Sequence, residues 1–136
     1  MLLLLPLLAA ASAVATGPDA EVSVASGDWN DIPALLQTGD LQISDKFAEQ
    51  LSSAAGTNGC STVGTAKHVN VSMPFLVQYS PQGAVQRVVV HRIDCPAVET
   101  IVGSVVLRMA QHGDYRPTGY NREGWYRGQF AFESRQ

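Results

Sequence analysis

From residue 69 to residue 79 apolar and polar side chains alternate: Val69, Val71, Met73, Phe75, Val77 and Tyr79 fall on one side, which predicts a half-buried strand. Pro74 lies within it and lacks a ladder donor, so its position must face away from a pairing neighbour or sit at a bulge. Ser80-Pro81-Gln82-Gly83 predicts a turn, with Pro81 presetting φ and Gly83 supplying a left-handed residue. A return strand over 85–93, centred on Val88, Val89 and Val90, completes a hairpin. The period then changes. Pro96 suits a first helical position, and Val98, Ile101, Val102, Val105 and Met109 form one stripe before Gly113 stops the helix. Gly103 inside that helix points to close approach to the sheet. A last strand over 125–132 puts Tyr126, Gly128, Phe130 and Phe132 on one face. Trp125, Arg127, Gln129 and Ala131 share the other.

The N-terminal half is less regular. Ile43, Phe47, Leu51 and Ala55 recur every fourth residue, with Ser44 as N-cap and Gly56 as terminator, predicting a helix over 44–55. Residues 31–39 read as one helical turn around Leu35 and Leu36, and residues 16–30 as a loose lead-in. Residues 1–15, MLLLLPLLAAASAVA, read as a secretory signal cleaved after Ala15. The apolar stretch is short for a ~30 Å bilayer core, and small residues stand at A-x-A-like positions. No Lys or Arg precedes the apolar run, and an uncleaved anchor is the alternative. The expected organisation is therefore a signal over 1–15, an extension with short helices over 16–59, and a domain over 60–136. Its expected fold is α+β: a three-stranded antiparallel sheet of order 2-1-3 with one packed helix.

Composition narrows the function classes. The chain has 136 residues, 46% hydrophobic and 15% charged, which fits one folded domain and not a disordered chain. The net charge of −3 disfavours a nucleic-acid-binding surface. Cys60 and Cys95 are the only cysteines, and in an exported chain an even pair points to a disulfide. Two free thiols are the alternative. A metal site ranks below both, since His68, His91 and His112 are scattered and no C-x-x-C occurs. No cofactor is implied. Catalysis finds no support: Gly103-Ser104 lacks the second glycine of a nucleophile elbow, and no paired carboxylates form a motif. Asp94 and Glu99 flank a helix start, where negative charge suits the dipole. Tyr115 fits beneath the end of the second helix and Pro117 prevents its continuation.

The strand–turn–strand segment 77–85 with Pro81 and Gly83, the helix end Tyr115-Arg116-Pro117, and a last strand closing on Phe130-x-Phe132 together resemble the C-terminal domain of TonB-type periplasmic proteins, over about residues 69–133. The resemblance implies a non-enzymatic envelope protein that takes a protein or extended peptide beside its last strand. The docking edge would then be Trp125, Tyr126, Arg127, Gly128, Gln129 and Phe130, with Arg116, Arg122 and Arg127 near enough to meet acidic side chains. Partners would be periplasmic or outer-membrane segments, without stable membrane insertion after signal cleavage. TonB energy transducers also carry an uncleaved membrane helix and a long Pro-rich spacer, and usually a Tyr-Pro segment before the first strand. The leader here is short, no Pro-rich run follows it, and Lys67-His68 precede Val69. A transport component acting with a separate anchor, and a small structural or regulatory periplasmic protein, are the alternatives.

Overall fold

The computed structural model describes residues 20–39, 44–56, 60, 68–118 and 123–135. The leader over 1–15, Ile43 and Arg122 lie outside them. The elements are β1 (Glu21–Ala25), β2 (Leu36–Gln37), α1 (Asp45–Ala55), β3 (His68–Tyr79), β4 (Val85–His91), α2 (Pro96–Gln111), β5 (Tyr115–Arg116) and β6 (Gly124–Arg135).

The hairpin, the second helix and the last strand form where the periodicity puts them. In the turn, Gly83 takes φ +82°, and the Ser80 hydroxyl accepts the Gln82 and Ala84 N–H groups (3.2 and 3.1 Å). β6 returns antiparallel to β3, running from the His68–Arg135 pair to the Tyr79–Gly124 pair. The sheet itself differs from the expected three-stranded antiparallel arrangement with one helix. It has four strands in the order β1-β4-β3-β6, with β1 parallel to β4, and β2 and β5 form a separate two-stranded sheet. From residue 20 onward the lead-in is not loose. Val22 and Val24 pair across from Val88 and Val90 and extend the core face, so Glu21–Ala25 becomes an edge strand. The expected helical turn at 31–39 is absent too, because Pro33 and its neighbours bond to other segments and Leu36–Gln37 pairs with β5.

Both helices pack on one face of the sheet. There Val69, Val71, Met73, Phe75, Val77, Val88 and Val90 are fully buried with Val98, Val102 and Val106 of α2. The α2 stripe is turned slightly from the sequence reading: Val106 is buried, while Ile101 and Val105 are half-buried. A Cβ at Gly103 would strike Val22, which explains a glycine inside this helix. Glu99, in the first turn of α2, is buried and its carboxylate accepts the Ile93 N–H (2.7 Å), closing the loop before the helix. Ser44 caps α1 through the Phe47 N–H (3.1 Å), and the Phe47 ring meets Phe130 and Phe132 edge-on. Cys60 and Cys95 are bonded, with Cα atoms 4.9 Å apart, joining the segment after α1 to the start of α2. Pro74 lies one position beyond the last β3–β4 pair, Phe75–Val90. Alternation aims its imide nitrogen toward β4's side, where pairing has ended, so no ladder donor is missing.

Candidate functional site

The alternation of β6 separates the six sequence-predicted edge residues into two groups. Tyr126, Gly128 and Phe130 belong to the core. The Tyr126 ring meets Tyr79 at 5.9 Å, Phe130 is fully buried against Phe47, and Gly128 lies against the Phe75 ring. Trp125, Arg127 and Gln129 lie on the opposite, outer face, with Gln129 donating from its amide to the Ser72 hydroxyl (2.9 Å).

The backbone of β6 is not uniformly open. Arg127 N–H donates to the Pro33 carbonyl (2.8 Å), and the Leu35 N–H donates to the Arg127 carbonyl (2.7 Å). These two bonds make a parallel bridge centred on Ala34. The Arg127 Nε–H adds a bond to the Ile32 carbonyl (2.8 Å), and the Thr118 hydroxyl donates to the Ala34 carbonyl (2.9 Å). The chain between β1 and β2 is thus a strap. It crosses the outer face of the sheet, where Trp29 meets His91 edge-on at 5.1 Å, and clasps the β6 edge at Arg127 before reaching β5. The strap and the sheet enclose a cleft whose lining includes Trp29, Leu35, Pro74, His91, Arg127 and Gln129.

Because both backbone groups of Arg127 point away from β3, period-two geometry points those of Gln129 and Ala131 the same way. Neither pairs outward with another described strand. The open part of the edge is therefore displaced from the sequence expectation toward the C-terminus of β6. Of the three arginines expected to meet acidic groups, Arg127 already donates to Ile32 and Arg116 donates from Nε to the Gly113 carbonyl (3.2 Å). Sequence reasoning read Pro33, Ala34 and Leu35 as part of a helical turn and gave them no place at the site, since a segment held by backbone bonds carries no apolar period.

Tyr115 and Pro117 stand where expected, after α2. Tyr115 is buried with its ring 5.1 Å from that of Phe75, and its carbonyl accepts the Tyr79 hydroxyl (3.1 Å). Burial, helped by the charge that the neighbouring Tyr126 hydroxyl carries when ionised, pushes the Tyr79 hydroxyl up from 10.0 to about 12. Burial, then Asp114, raises Tyr115 as well. Among the described residues no group of three His, Cys, Asp or Glu side chains is placed to hold a metal ion, and no helix is long and apolar enough to cross a membrane. No family model, curated protein or solved structure matches this chain.

Proposed function

We propose that this is a non-enzymatic envelope protein that binds an extended segment of another protein by strand addition to β6, at Gln129 and Ala131. One observation carries the reading. The same edge already takes an extended segment of its own chain, Pro33–Leu35, through two backbone bonds at Arg127, while no strand among the described residues lies beside its next outward-facing positions. Strand addition draws affinity from main-chain bonds and specificity from alternate side chains. A partner side chain on the outer face beside Gln129 would stand next to the cleft under the strap. The Cys60–Cys95 bond supports a compartment outside the reducing cytoplasm, and the periplasm is the reading that also accommodates the TonB resemblance.

The test is a titration of isotope-labelled protein with short extended peptides taken from envelope proteins. The amides of Gln129 and Ala131 should move first and most, with Arg127 held back by its existing bonds. Shifts confined to the helical face, or no shift with any peptide, would contradict the proposal.

A further inference from the structure

His91, at the end of β4, faces two carbonyl oxygens. Its Nδ1 lies 2.9 Å from the Arg92 carbonyl and its Nε2 lies 3.3 Å from the Gly27 carbonyl. A neutral imidazole carries one N–H and can donate to only one of them; the imidazolium carries two and can donate to both. The Trp29 ring packs edge-to-face against His91. Gly27 and Trp29 are the first part of the strap, and a side chain at Gly27 would press on the Trp29 indole. We infer that His91 is a proton-operated latch that fastens the strap to the outer face of the sheet when the imidazole is protonated and releases its first turn when it is not.

The unequal distances say which contact fails. The single proton of the neutral ring goes to the shorter bond, Nδ1–H to the Arg92 carbonyl, which lies within His91's own strand end. The lone pair of Nε2 then faces the Gly27 carbonyl, and attraction becomes repulsion. The charged groups sharing the cleft with His91 are Asp28 from the strap and Arg127 from β6, of opposite sign. The Asp28 carboxylate accepts the Asn30 N–H (3.1 Å), and Arg127 holds the Ile32 carbonyl. On the same face, Arg87 pairs with Glu21. β3 contributes the uncharged Pro74. Release is partial, because Leu35 and Arg127 still hold the far end. The latch stands whatever β6 binds. Its consequence, that a deprotonated protein gives up the Pro33–Leu35 clasp to an incoming strand more readily, rests on the strand-addition proposal.

The experiment uses the protein without any peptide. Amide exchange of Ile32 and Leu35 is measured at about pH 5 and about pH 8 and divided by intrinsic chemical rates. The loss of one hydrogen bond should lower Ile32 protection about tenfold at the higher pH, with a smaller change at Leu35. In His91→Phe, which keeps a ring beside Trp29 and removes both donors, protection should be low at both pH values. Equal protection of the wild type at both pH values, or the same pH dependence in His91→Phe, would overturn the latch. Ring-nitrogen signals of the wild type keep the test decisive if His91→Phe does not fold. The neutral ring should carry its proton on Nδ1, and a neutral ring protonated on Nε2 would overturn it. Peptide titrations are scored separately, so a failed latch and a failed binding edge give different results.

Discussion

Replacing Gly128 by alanine should destabilise the protein, against the usual sign for a glycine within a strand. Elsewhere in a strand the exchange gains about 0.5–1 kcal/mol, because alanine loses less backbone freedom on folding. At Gly128 a Cβ would enter the Phe75 ring, at three of its carbons. Phe75 is fully buried, with 0% of its surface accessible, and the Tyr115 ring packs against it at 5.1 Å. It has nowhere to swing. Overpacking a filled core costs about 1–3 kcal/mol, so the net loss should be about 1–2 kcal/mol, or roughly 5 °C in Tm for a chain this size. Thermal and urea unfolding give the number. Phe75→Leu removes the ring atoms that the new methyl meets, so the double variant should lose less than the sum of the two singles, by about 1 kcal/mol. A Gly128→Ala variant as stable as the parent, or strict additivity with Phe75→Leu, would refute this account of how β6 lies on β3.

Two further outcomes follow from the core. Replacing Cys60 and Cys95 together by alanine opens a connection of 35 residues and should cost about 4 kcal/mol in the chain-entropy model, read as a large drop in denaturation midpoint; a change under about 1 kcal/mol would show that the bond is not a main fastening. Tyr79 holds its proton more tightly when folded than when unfolded, so its contribution to stability is complete below about pH 10 and is lost as pH rises toward about 12. Tyr115 acts in the same direction. Denaturation midpoints should therefore be level with respect to these tyrosines below pH 10 and fall above it, and Tyr79→Phe should flatten part of that fall.

The elements with enough apolar positions to repeat were legible in the sequence. α1 and its Ser44 cap, the hairpin with Gly83, α2 and its glycine, and β6 all follow from period and punctuation. β1 was missed because five residues give only Val22 and Val24 as signal, inside a polar acidic stretch, and because its parallel pairing with β4 follows a long connection. The strap was missed for a different reason. Pro33, Ala34 and Leu35 are held by main-chain bonds to Arg127, which any residue with an N–H and a carbonyl can make. That omission carried over to the candidate site. Edge residues Trp125 to Phe130 were named as a unit, yet three of them serve the core and Arg127 is already engaged. An Arg127→Glu variant would consequently disturb the strap as well as any ligand, which makes it a poor probe of binding.

The most direct measurement of the edge proposal is peptide binding by Ala131→Pro beside Phe132→Pro. The Ala131 N–H points away from β3, so proline there removes one outward donor and spares the β3–β6 ladder, as Pro74 does on the opposite strand. At Phe132 the N–H points toward Val71, and proline breaks the ladder. Ala131→Pro should stay folded with its β3–β6 amides protected and lose peptide binding at least tenfold, whereas Phe132→Pro should lose the fold itself. A folded Ala131→Pro protein that binds envelope peptides as tightly as the wild type would contradict strand addition at β6.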